Sequence, residues 1–154
     1  METSFVSACV TDRKDAGSVY RHEQSLEWWA MQAQRHEISV SSEVITELSQ
    51  PGFRQREQAL KFIQGLPVLQ INPRVLELAR ILIDERVMPH PVTGDASHVA
   101  VSAVSGIEYI LSWNVQHLAN PNKVMHLTKI CAREGFVAPR IVTPESLWED
   151  DNEI

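Results

Sequence analysis

Apolar residues fall along this chain in two rhythms, short unbroken runs and longer stretches in which they recur every three or four positions. Residues 15–34 (DAGSVYRHEQSLEWWAMQAQ) offer Val19, Leu26, Trp29, Ala30 and Ala33 as one stripe, which predicts a helix. Ile38 and Val40 then alternate with polar neighbours, a brief strand over residues 37–40. Ser41 and Ser42 supply cap chemistry for a helix over EVITELSQ, which Pro51-Gly52 ends. Residues 53–64 predict another helix, stopped by Gly65, and LPVLQI (residues 66–71) a buried strand. Asn72-Pro73 is a cap followed by a first-turn proline, with Val75, Leu78, Ala79 and Leu82 as the stripe of the helix it opens.

Residues 88–93, holding Pro89 and Pro91, predict a loop. In GDASHVAVSAVSG, Ala96, Val99, Ala100, Ala103 and Val104 share one helical face, and their small side chains permit close packing. YILSW (residues 109–113) predicts a strand, residues 123–134 a helix closed by Gly135, and RIVT (residues 140–143) a last strand before Pro144. Short apolar strands alternating with helices predict an α/β sandwich with a mostly parallel sheet. Ligands of such sheets gather beyond the carboxyl ends of the strands, so the polar residues placed there are the ones to weigh.

At 154 residues the chain predicts one domain, residues 1–148, followed by an acidic tail over residues 149–154. Glu149, Asp150, Asp151 and Glu153 sit in that tail, so the body is closer to neutral than the net charge of −6 suggests. That charge disfavours a surface that grips phosphate backbones everywhere, without excluding a local contact. No apolar run reaches membrane-span length and METSFVSACV has no charged leader; Cys9 and Cys131 are isolated thiols. These features predict a soluble protein of a reducing cytoplasm.

Three acids stand where strands give way to helices: Glu2 in ETSF, Glu47 one turn beyond Glu43, and Asp95 at the mouth of GDASHVAVSAVSG. Asn114 follows YILSW directly. A cluster of carboxylate and amide oxygens suits Mg²⁺ or Mn²⁺ better than zinc, and repels itself without a cation. Each residue also has a bland role open to it. Asp95 can be an N-cap, Glu43 and Glu47 a solvated helix face, Asn114 a turn residue, and Glu2 a bystander near the terminus.

GDASHVAVSAVSGIEYILSWNVQHLANP resembles the C-terminal signature of PIN domains of the VapC toxin type. ETSFVSA resembles that family's opening, SSEVITEL its second acidic segment, and RIVTPESL its closing strand and turn. The resemblance spans essentially the whole chain. It implies a PIN-like three-layer sandwich with a mostly parallel central sheet, and a metal-dependent endoribonuclease acting on single-stranded or looped RNA. In that family the enzyme is often the toxin of a type II toxin–antitoxin pair, which implies an antitoxin partner and allows a homodimer. The positions that match are Glu2, Glu47 (not Glu43) and Asp95 as catalytic metal ligands for Mg²⁺ or Mn²⁺, with Thr3 and Ser4 as the supporting hydroxyl pair. Asn114 falls where many members carry a further Asp, which leaves that position neutral and weakens any second metal.

The family's first strand begins several apolar residues before the Thr-Ser pair, whereas here Met1 directly precedes Glu2. The resemblance therefore implies a truncated first strand, with Glu2 on a mobile terminus beside an α-amino charge. Two readings stay open: a start set a few codons late, or a destabilised relative that binds RNA or a protein without cutting. Arg13, Lys14 and Arg21 are candidate phosphate contacts or solvated surface. His22, His36, His90, His98, His117 and His126 are scattered without HExxH or CxxC, which argues against zinc. Trp28 and Trp29 predict core or a partner surface.

Overall fold

Four short segments pair as strands, and both pairings are parallel. The protein is described here by a computed structural model covering residues 1–114 and 120–150, without the side chains of residues 92 and 93. Helix α1 (Thr3–Val10) leads to α2 (Ala16–Met31) and a 3-10 turn, Ala33–Arg35. Then come β1 (Val40–Ser41), α3 (Ser42–Leu48), α4 (Arg56–Ile63), β2 (Val68–Leu69) and α5 (Pro73–Asp84). A five-residue π turn, Val92–Ala96, opens α6 (Ser97–Val104), followed by β3 (Tyr109–Leu111), α7 (Pro121–Arg133) and β4 (Arg140–Val142). The expected α/β character and parallel pairing are present. Among the described residues one central sheet is not: β1-β2 and β3-β4 are separate two-stranded sheets.

Met1 and Glu2 lie between the two sheets, with the Met1 ammonium donating to Ser39 O at 2.8 Å and the Glu2 amide to Leu111 O at 3.1 Å. Each donates one backbone bond, Met1 toward β1 and Glu2 toward β3. They are nonetheless well held: Glu2 is 6 % exposed, contrary to the mobile terminus expected from the sequence.

The caps read from the sequence form. Ser41 Oγ accepts from the Val44 amide, and Asn72 Oδ1 from the Val75 amide ahead of Pro73. Helix α1 went unread because its apolar residues show no single stripe. It buries Phe5, Val6 and Cys9 on different sides, Val6 against β1 and α3, and Phe5 and Cys9 against Trp28 and Leu111. Each fully buried Phe or Val stabilises by about 1.5–3 kcal/mol, so this short helix is a core element.

Helix α6 likewise departs from a one-faced reading, since every residue from Ser97 to Ala103 is buried. It runs through the interior, and its small side chains let α5 pack closely beside it. In α2 the inward face is Ser18, Ser25 and Trp28, rotated from the expected stripe, and Leu26 is exposed. Trp28 wins the inward position because its indole Nε1 donates to Leu147 O at 2.6 Å while its ring packs edge-on to Phe5. The two residues of β2 are intermediate and exposed, where a buried strand was expected, because β2 is the outer strand of its pair. The backbone of Glu149, the first residue of the expected acidic tail, makes reciprocal 3.1 Å bonds with the Gln32 side chain. Asp151, Glu153 and His117 lie outside the described residues.

Candidate functional site

Glu2 follows the stump between the sheets, Glu47 lies in the helix after β1, and Ser112 to Asn114 follow β3. Glu47 and Ser112 to Asn114 come after parallel strands, on the side where open α/β sheets present their ligand-binding groups, and Glu2 lies between the two sheets. Two hydrogen-bonded assemblies meet there. In the first, Thr3 Oγ1 donates to Glu47 Oε2 at 2.5 Å, and His98 Nε2 lies 2.8 Å from Glu47 Oε1. A carboxylate only accepts, so His98 carries its proton on Nε2 and donates.

The second assembly runs from Glu2 to Asp95. Ser4 Oγ donates to Glu2 Oε2 at 2.5 Å and accepts from the Trp113 amide at 2.8 Å. Ser112 Oγ, 3.2 Å from Ser4 Oγ, must then donate, because the only hydroxyl proton of Ser4 is already used. Ser112 Oγ in turn accepts from the Asn114 amide at 2.9 Å, and Asn114 Nδ2 donates to Asp95 Oδ1 at 3.3 Å. The segments bearing Glu2, Asp95 and Asn114, far apart in the chain, are thus joined through Ser4 and Ser112. Thr3 links Glu47 to the same turn of α1.

Glu43 and His98, set aside or given no role in the sequence reading, belong to this cluster. The Glu43 carboxylate accepts from the Gly94 amide, beside Asp95. Gly94 has φ +111°, a backbone state that an L side chain resists, and this shapes the turn carrying Asp95. The spacings of Glu43 to Glu47 (i, i+4) and Asp95 to His98 (i, i+3) were the available signals, since each pair shares a helix face. Asp95 does not cap α6. The cap position is Ala96, without a side-chain bond, because the π turn inserts Asp95 one residue earlier.

Burial pushes the Glu47 carboxyl up, but the His98 and Thr3 hydrogen bonds and the His98 charge outweigh it, so the group sits below its usual range. For His98 burial acts downward, yet Glu47, Glu2 and Glu43 together hold the imidazolium above its ordinary value. Glu43 is raised, by burial first and then by Glu47. With one imidazolium facing several acids, the pocket carries an excess of negative charge.

The donor set is hard oxygen throughout, which suits Mg²⁺ or Mn²⁺ rather than zinc. Among the described residues, no three His, Cys, Asp or Glu side chains stand together as a group that could hold one ion. The Glu47 oxygens face Thr3 and His98 instead, and Glu2 faces Ser4. The thiols supply no nucleophile, as burial raises both and pushes Cys9 up to about 12.

A groove of about 500 Å³ adjoins Ser4 and Asn114 and is lined by Arg13, Arg21 and Arg54. Arg54 is paired with Asp12 at 2.5 Å. Lys14, named with Arg13 and Arg21 in the sequence reading, is exposed and outside this lining. Among the described residues no helix is long and apolar enough to cross a membrane. No protein-family model matches the chain, and neither a curated protein nor a solved structure matches it.

Proposed function

We propose that this protein is a PIN-type, Mg²⁺- or Mn²⁺-dependent endoribonuclease, the toxin of a toxin–antitoxin pair. One observation carries the reading: Glu2, Glu47 and Asp95, from three separate segments, enter two hydrogen-bond assemblies that the adjacent residues Thr3 and Ser4 of α1 bring side by side. The arginine-lined groove opening at Ser4 and Asn114 supports it, because a single-stranded phosphate backbone needs a cationic approach to an otherwise acidic pocket.

Glu2, Glu47 and Asp95 would hold the metal. A hard dication there supplies a bound water of lowered pKa and offsets charge on the phosphoryl oxygens. The chain's own residues do the rest. Arg13 and Arg21 bind phosphates along the groove. Ser4 and Ser112 hold Glu2 in orientation through their directed proton chain, and Thr3 fixes one oxygen of Glu47. His98 donates from Nε2 to Glu47, and the neighbouring acids favour its imidazolium, whose charge offsets part of the pocket's negative charge.

The test is RNA incubated with the protein and Mn²⁺ or Mg²⁺, beside Asp95→Asn. Metal-dependent cleavage that disappears in the variant is the expected result. The Glu47 oxygens, already satisfied by Thr3 and His98, and the neutral Asn114 favour a second reading, a PIN-like module that binds RNA or a protein without cutting. Equal background from both proteins, with retained RNA or partner binding, selects that module.

A further inference from the structure

We propose that Trp113 is a base-stacking platform, on which the groove beside Asn114 receives one unpaired nucleobase of a single-stranded RNA. This rests on the RNA reading given above and adds the residue that grips a base.

Trp113 follows β3 and directly precedes Asn114. Its position is fixed from three directions. The backbone amide donates to Ser4 Oγ at 2.8 Å, the same hydroxyl that serves Glu2. The indole Nε1 donates to Ser25 Oγ at 2.8 Å, and Ser25 is 0 % exposed, so the polar edge of the ring is anchored in the core. The Tyr20 ring makes a T-shaped contact with the indole, centroids 6.3 Å apart, and the Tyr20 hydroxyl is itself held by Glu145. Neither Ser25 nor Tyr20 lines the groove, whereas the half-buried Trp113 does. The indole therefore offers the groove a part of its surface that neither partner covers. A ring held this way can accept a flat aromatic partner at little entropic cost, because it is already immobile.

The rest of the lining identifies that partner. Arg13, Arg21 and Arg54 supply cations, and Phe53 a second aromatic ring. Asp12 engages Arg54, and Arg21 lies near Asp15, so Arg13 has the most charge to offer a phosphate. Cations beside an aromatic face are what single-stranded nucleic acids need, charge for the backbone and a ring for the base. The volume of about 500 Å³ has room for a base with its sugar and phosphate. Placement adds a reason. Asn114, the next residue, donates to Asp95 Oδ1 at 3.3 Å. A base on Trp113 is thus held one residue along the chain from the contact with Asp95, so stacking fixes where the strand passes the acids.

The experiment measures binding by fluorescence anisotropy without divalent metal, so that no step depends on cleavage. Two labelled strands are used, a 2′-O-methyl adenosine oligomer of about eight nucleotides and a backbone of equal length and charge that lacks bases. Each is titrated with the unchanged chain, Trp113→Phe and Trp113→Leu. Both variants lose the indole bond to Ser25, but only the first keeps an aromatic face. The base-bearing strand is expected to bind the unchanged chain about tenfold more tightly than the baseless one. Trp113→Phe should keep that affinity within about threefold, and Trp113→Leu should bring it down to the baseless level. Affinity for the baseless strand should stay within about twofold in both variants. Equal affinities of the two strands for the unchanged chain would overturn the proposal and leave the RNA reading standing, as would equal losses in the two variants. No binding of either strand would overturn both together and give the groove to a protein partner.

Discussion

Glu47 and Asp95 belong to one proposed site but are held in opposite ways. Glu47 has both oxygens engaged, at 2.5 Å by Thr3 and at 2.8 Å by a His98 side chain that is 4 % exposed. Among the described residues, Asp95 receives an amide at 3.3 Å from Asn114 and sits in a π turn, directly after Gly94, whose φ is positive. The first carboxylate is pre-set by the core. The second is held by a longer hydrogen bond from a side-chain amide. On the proposed function the contrast separates two roles, an acid that would both hold the ion and stabilise the fold and one that would only hold the ion.

The largest expected effect ignores that difference. Glu47→Gln and Asp95→Asn should each reduce metal-dependent RNA cleavage by at least about a hundredfold, because each deletes a charged ligand where even supporting groups are worth tenfold or more. Chemical denaturation without metal then splits the pair. Glu47→Gln should lower stability by about 1–3 kcal/mol, since a buried imidazolium loses its charged partner. Asp95→Asn should stay within about 0.5 kcal/mol of the unchanged chain. Equal losses would erase the contrast.

Ser4→Ala tests the Asp95 side in a different way. It strips Glu2 of its donor and the Trp113 amide of its acceptor, for an expected loss of about 1–2 kcal/mol. Activity should fall with it, because Glu2 loses its orientation.

The His98 titration is a subtler probe, followed by NMR without metal. Its midpoint should lie above the ordinary value of about 6.5 and drop below it in Glu47→Gln, where burial acts with less opposition. The signs are fixed. His98, raised on folding, contributes stability fully below about 6.5, lost as pH rises through its folded value. Glu47, lowered on folding, contributes above its ordinary value of about 4.3, lost as pH falls through its folded value. The stability gap between the unchanged chain and Glu47→Gln should therefore be widest from about pH 4.3 to 6.5. The smallest effect expected is at the groove. Arg13→Ala should weaken RNA binding a few-fold and reduce its salt dependence by about one unit of slope.

Much of this architecture was legible. Ser41 and Asn72 announced two helix starts because capping is local chemistry that needs no partner from elsewhere in the chain. Helix α1 was not legible, since a segment buried on several sides loses the periodicity that marks an amphipathic helix. The same blindness hid the burial of α6. The two-sheet arrangement followed from nothing local, as sheet order is set by contacts between segments far apart in the chain. At the candidate site, Glu2, Glu47 and Asp95 were readable as acids at element boundaries. Glu43 and His98 were not, because a helix-face glutamate and a lone histidine look the same in sequence whether they meet across 51 positions, as His98 and Glu47 do, or face solvent. Trp28 over Trp29 as the inward ring depended on Leu147, far downstream.

The central claim is that carboxylates from distant segments act as one receptor for a hard dication, and titration calorimetry with Mn²⁺ addresses it without RNA. The account predicts saturable binding to the unchanged chain, weakened at least tenfold by Asp95→Asn and by Glu47→Gln alike. Binding of equal strength in all three proteins, or none in the unchanged chain, would contradict it.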